Sequence, residues 1–136
     1  DDGMKTTVYG GQKEGAESTN CEDTDPDSVD FHVWLNPIRG VDRSKAIVVE
    51  MTPRIRTMKH EGKWTVPKLK QIAKDNRRVR VSGWLMFDQE HPEALHDTER
   101  SHQTRATLWE IHPIIEFEVE TDATGEFVSL DEWEPQ

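Results

Sequence analysis

V-R-V-S-G-W-L-M-F-D-Q-E-H (79–91) and, after a polar loop, T-R-A-T-L-W-E-I-H-P-I-I-E-F-E-V (104–119) decide the fold. In the first run Val79, Val81, Gly83, Leu85 and Phe87 share one face, and Arg78, Arg80, Ser82, Trp84, Met86 and Asp88 share the other. In the second, Trp109, Ile111, Ile115, Phe117 and Val119 are set against Glu110, His112, Glu116, Glu118 and Glu120. Successive side chains of a strand point to opposite faces. A period of two sustained this long predicts two half-buried antiparallel strands. Both runs carry acid and histidine where they meet the loop between them.

The rest of the chain completes that sheet. Residues 4–9 predict a first strand, and the glycine-rich, acidic stretch 10–27 predicts a loop. Residues 29–35 alternate Phe31, Val33 and Leu35 against Asp30, His32 and Trp34, and residues 45–52 alternate Ile47, Val49 and Met51 against Val48 and Glu50. Pro53 ends the third strand because proline cannot donate to a ladder. Residues 57–62 read as a loop. A helix follows, with Thr65 as N-cap, Pro67 in its first turn, an apolar stripe of Leu69, Ile72 and Ala73, and an end at Asp75-Asn76. Residues 88–104 form a long polar loop, and 126–130 a short sixth strand. Three strands, one helix and two strands is the order of an all-β OB-fold, a five-stranded Greek-key barrel with its helix between strands three and four. An α+β roll is the alternative.

At 136 residues the chain is one domain, 1–136, with 1–3 and 131–136 as flexible termini. No run approaches the ~18 apolar residues of a membrane span. The chain opens on Asp1-Asp2-Gly3, as a trimmed or mature form would. Cys21 alone makes neither an internal disulfide nor a cysteine-based zinc site. The acids of 22–27 lack EF-hand spacing, which argues against calcium. A net charge of -10 argues against a general polyanion binder. Yet residues 39–80 are basic, with Arg39, Arg43, Lys45, Arg54, Arg56, Lys59, Lys63, Lys68, Lys70, Lys74, Arg77, Arg78 and Arg80. That block reads either as self-neutralisation between strands or as a local strip for phosphates.

Three acid–histidine pairs recur. Asp30-x-His32 and Glu110-x-His112 have strand spacing, which puts both members of each pair on one face. Asp88-x-x-His91 sits at the exit of the fourth strand, and Glu50 lies on the polar face of the third. If the strands share one face, Asp30, His32, Glu50, Asp88, His91, Glu110 and His112 supply the ligand set of a divalent transition metal such as zinc, manganese or iron. The competing reading is a salt-bridged structural network. His60, His96 and His102 lack such partners and read as surface residues. Trp34 and Trp84 fall on the face opposite the aliphatics, where a base could stack, whereas Trp109 falls with the aliphatics and reads as core. Trp64 reads as packing at the helix start, and Trp133 lies in an acidic tail.

The segments F-H-V-W-L (31–35), I-V-V-E-M-T-P-R (47–54), V-S-G-W-L-M-F-D-Q-E-H (81–91) and T-R-A-T-L-W-E-I-H-P (104–113) resemble a group of uncharacterised bacterial OB-fold proteins. The resemblance covers roughly residues 17–120. Its specificity lies in the combination of G-W-L-x-x-D-x-x-H with W-E-I-H-P. Some members are exported or lipid-anchored and carry a nucleic-acid-binding label that rests on fold analogy. The resemblance implies an OB-fold and an extracytoplasmic, periplasmic or envelope setting. Where such relatives often have Cys-Asn-Cys, this chain has Thr19-Asn20-Cys21, which sets aside any role needing two thiols.

Three functions are therefore expected. The first is a binding module for single-stranded nucleic acid or another anionic ligand, held by Trp34, Arg54, Arg56, Arg80, Trp84 and Arg105. The second is a metal-dependent hydrolase built on the acid–histidine set. The third is a cell-envelope interaction module.

Overall fold

The alternation in 79–119 becomes the two longest strands of a mixed sheet. The computed structural model describes residues 4–6, 29–37, 43–95, 105–121 and 125–135. Its elements are β1 (Met4–Thr6), β2 (Phe31–Leu35), β3 (Ile47–Met51), α1 (Val66–Lys74), β4 (Val79–Phe87), β5 (Trp109–Glu120) and β6 (Phe127–Ser129). The strand order is β1-β2-β3-β5-β4, with β6 on the far end of β5. Every pairing is antiparallel except β3 with β5, which run parallel with Val48 opposite Glu110 and Val49 opposite Ile111. The described residues are thus mostly β, with one α-helix among them. Among the described residues no pairing joins β4 to β1, so the sheet is open where a closed five-stranded barrel was expected.

One face of the sheet is buried by α1 and the C-terminal segment. Phe31, Val33, Val49, Met51, Ile114, Phe117 and Val119 meet Leu69 and Ile72 of α1 together with Trp64, Leu130 and Trp133. The helix begins as expected: the Thr65 hydroxyl accepts from the Lys68 amide at 3.5 Å, and Pro67 lies in the first turn, where no N–H is needed. Trp133, in the segment read as a flexible tail, lies in this core. Lys68 ties that segment to α1 by donating to the carbonyls of Leu130 and Trp133.

Several expectations change. Residues 55–59, read as entering a loop, form one π-helical turn that carries Arg56 inward over the Phe31 ring, 3.5 Å from its centroid. His60, read as a surface residue, is buried; it stacks on Trp64 at 3.7 Å and bonds Asp131 through Nδ1. His96, His102, Cys21 and the acids of 22–27 lie outside the described residues. In β5 the core residue is Ile114 rather than Ile115, because the strand bulges: Ser82 faces Glu116, Gly83 faces Ile114 and Leu85 faces Ile111. Trp109, expected in the core, is 47% exposed and meets the edge of Phe87 at 5.1 Å. The core covers Val79 and Val81 but ends before Leu85, Phe87 and Trp109, which share its face and stay exposed. Trp34, expected toward solvent, is only 8% exposed and packs with Ala46 and Val48 in a small second cluster on the other face.

Candidate functional site

The register of four adjacent strands gathers the acid–histidine pairs. Antiparallel β2–β3 sets His32 opposite Glu50 and Trp34 opposite Val48. Parallel β3–β5 sets Val48 opposite Glu110, and two residues further along each strand come Glu50 and His112. Antiparallel β4–β5 then sets Met86 opposite Glu110. One row across the sheet therefore reads Trp34, Val48, Glu110, Met86, and the next begins His32, Glu50, His112. Asp30 precedes β2, Asp88 follows β4 and Arg105 precedes β5, all bordering these rows.

Contacts join them into one chain. His32 Nε2 lies 2.9 Å from Glu50 Oε1, and Glu50 Oε2 lies 3.0 Å from His112 Nδ1. The same His112 Nδ1 is 3.4 Å from Glu110 Oε1, whose partner oxygen is 3.2 Å from Arg105. The other arm of Arg105 donates to Asp88 Oδ2, which His91 Nδ1 also meets at 2.9 Å. Asp88 Oδ1 accepts from the amides of Glu90 and His91, an arrangement that turns the chain after β4. Asp30, Glu50 and His112 each offer a ligand atom, and these three atoms lie within 4.8 Å of one another. Of the seven residues expected as ligands, the structure thus places Asp30, Glu50 and His112 together. His32 and Glu110 stand directly behind them, while Asp88 and His91 are on the far side of Arg105.

Asp30, Glu50 and Glu110 are 4%, 5% and 2% exposed, and Asp88 is buried beside them. Asp88 and Glu110 share the Arg105 guanidinium, and Glu50 lies between the imidazoles of His32 and His112. Buried carboxylates are costly unless paired or hydrogen-bonded, so their stability depends on these contacts. The hydrogen bond to Glu110, helped against burial by the charges of Glu50, Asp30 and Glu110, raises the pKa of His112 above the ordinary histidine value.

Asp88 moves the opposite way. Burial opposes its charge, but the hydrogen bonds from Arg105, the Glu90 amide and His91, with the charge of Arg105, outweigh burial and hold its pKa at about 2. A carboxyl depressed in the folded state stabilises above its unfolded value, near 3.9, and loses that contribution as pH falls through the folded one. In metal-free buffer, urea unfolding is expected to show wild type about 2 kcal/mol more stable than Asp88→Asn at pH 6. The gap closes between about pH 5 and pH 2. A gap that does not change with pH would mean that Asp88 is solvated.

The residues expected to bind an anion do not converge. Arg56 is buried, with a guanidinium nitrogen on the Val29 carbonyl. Arg105 is the buried hub just described. Arg80 is exposed but held by Glu118 at 2.5 and 2.6 Å, and Arg78 by Glu120 at 2.9 Å. Arg78 and Arg80 of the basic block therefore neutralise Glu120 and Glu118 of β5. Trp34 is buried, which leaves Arg54 and Trp84 exposed. The His60–Asp131 pair escaped sequence reasoning because the two residues are 71 positions apart and no spacing links them.

No helix among the described residues is long and apolar enough to cross a membrane. Comparison with protein-family models, with curated proteins and with solved structures finds no match to this chain.

Proposed function

We propose that this chain is a metal-dependent hydrolase module whose divalent transition metal is held by Asp30, Glu50 and His112. The observation that carries the reading is their mutual approach within 4.8 Å at a buried, negatively charged point. At metal–ligand bonds near 2.1 Å, two ligands of a tetrahedral ion stand about 3.4 Å apart, so the widest pair needs to close by about 1.4 Å. His32 orients Glu50 from behind, and Glu110 orients His112, as outer partners of metal ligands do. When bound, such an ion would supply Lewis-acid chemistry toward the bond to be cleaved and toward a water, and Asp30, Glu50 and His112 would hold it.

An OB-fold is the architecture we propose for the module. The order β1-β2-β3-β5-β4, the parallel β3–β5 pair and the helix between β3 and β4 support it. An extracytoplasmic setting belongs to the same proposal, supported by the resemblance alone; fractionation of the source cell tests it.

The test is elemental analysis after dialysis against metal-free buffer and refilling with zinc or manganese. We expect near one equivalent in the wild type. Loss of an outer partner alone costs about 10- to 100-fold in metal affinity. His112→Ala and Glu50→Gln, checked for folding by circular dichroism, should therefore lose more than about 100-fold. Wild-type protein that retains no metal overturns the reading. A second reading, single-stranded nucleic acid stacked on Trp84, is favoured by that residue's exposure. It predicts binding to oligonucleotides that weakens steeply with salt.

A further inference from the structure

We infer that two copies of this chain join through β4, edge to edge and antiparallel about a two-fold axis, so that their sheets become one.

The place of the strand comes first. β4 ends the order β1-β2-β3-β5-β4, and among the described residues it pairs with β5 alone. Alternate residues of an antiparallel ladder turn their N–H and C=O groups toward the same neighbour. Asp88 donates to the Leu108 carbonyl, and the Arg78 carbonyl accepts from the Glu120 amide, so the even-numbered residues address β5. Val79, Val81, Gly83, Leu85 and Phe87 therefore turn theirs to the outer edge. Both register shifts insert residues into β5, from Ser82–Glu116 to Gly83–Ile114 and then Leu85–Ile111. β4 itself runs unbroken for 9 residues. Proteins blunt such an edge with lysine, proline or a bulge in the edge strand. β4 has neither lysine nor proline, and its one charge, Arg80, is held by Glu118. Its side chains add to the case. Trp84, Leu85, Met86 and Phe87, with Trp109 of β5, are all exposed, Leu85 by 66%. Large apolar side chains gathered in the open mark an interaction surface.

Charge names the occupant. The strand is entered through Arg78 and Arg80, whose side chains are 48% and 59% open, and left through the exposed Glu90 and Glu93. A strand that is basic at its start and acidic beyond its end complements a second copy of itself run antiparallel. A guanidinium has five donors, so the bonds to Glu120 and Glu118 leave Arg78 and Arg80 able to take a carboxylate from the other copy. Parallel pairing would set like charge against like. A peptide or nucleic acid of one sign would be repelled at one end. A two-fold also uses up both edges, which closes the assembly at two copies.

The inference is independent of the metal reading, and chelator-treated protein tests it. Sedimentation velocity of the full chain from about 1 to 100 µM should show a dimer forming. The amides of Val79, Val81, Gly83, Leu85 and Phe87 should exchange hydrogen more slowly as concentration rises. Leu85→Pro removes an outward donor and leaves the β5 ladder in place. Leu85→Lys puts a charge among the apolar side chains. Each substitution enters the interface twice, so a loss of about tenfold per copy becomes about 100-fold for the dimer. Should circular dichroism show the proline variant unfolded, the lysine variant decides, because Leu85 is exposed in the single copy. Glu90→Lys with Glu93→Lys should weaken the dimer at least about tenfold, by setting lysines against Arg78 and Arg80 of the other copy. A chain that stays monomeric across the range overturns the inference, whether or not an oligonucleotide then binds Trp84. A dimer that survives Leu85→Lys overturns it too, and one that ignores the paired lysines overturns the antiparallel arrangement.

Discussion

Arg105→Met lowers the unfolding free energy by about 4 kcal/mol in chelator-treated protein. Arg105 is buried, with one arm on Glu110 at 3.2 Å and the other on Asp88, and both carboxyl groups are buried as well. Methionine fills much of the same volume but leaves two acids facing each other without a cation. Breaking a buried ion pair from one side costs about 3–5 kcal/mol, most of it the uncompensated charge left behind. The cost should therefore shrink when the acids go too. The triple variant Arg105→Met, Asp88→Asn, Glu110→Gln is expected to recover at least half of the loss, since replacing a whole buried ion network by neutral groups is often close to neutral. Chelator is needed because a bound cation would partly replace the guanidinium. A loss below about 1 kcal/mol would mean that these groups are solvent-screened, as exposed pairs are.

Much of this was legible in the chain itself. Alternation found β2 to β5, and the Thr65–Pro67 signal found α1, because both are local consequences of backbone geometry. The acid–histidine pairs were visible for the same reason: i and i+2 share a face whatever the strand's neighbours. Which strand lies beside which is a long-range matter. The parallel β3–β5 pairing that brings Glu50 to His112 leaves no mark in either segment. Trp34 and Trp109 show the limit from the other side. Alternation assigned each to the correct face, but burial depends on how far the covering layer extends. The helix-side core ends before Trp109, whereas Trp34, on the opposite face, is covered by Ala46 and Val48. Arg105 was noticed as a cation but read as a ligand contact. Its burial follows from Asp88, 17 positions earlier, reaching it through the turn after β4.

Gly83→Ala should cost about 3 kcal/mol and weaken metal binding as well. Alanine normally suits a strand better than glycine, by roughly 0.5–1 kcal/mol, so propensity alone predicts a gain. Space reverses the sign. A Cβ at Gly83 would sit 2.5 Å from Ile111 Cγ2, 2.5 Å from the Pro113 carbonyl oxygen and 2.8 Å from Ile114 Cα. Ile111 can rotate its methyl away, but the other two atoms are backbone. They belong to the stretch of β5 that bulges against β4 between the two register shifts. Relief requires that bulge to lift, and His112 leads into it. Lifting it draws the imidazole away from Glu50, so stability and metal affinity should fall together. Ser82→Ala, one residue earlier and exposed, is the control and should stay within about 0.5 kcal/mol of wild type with metal binding intact. Urea unfolding and metal titration on the same three proteins read both effects. A Gly83→Ala protein as stable as wild type would show that β5 can bulge elsewhere. A destabilised variant with full metal affinity would show that the centre does not depend on the β5 bulge.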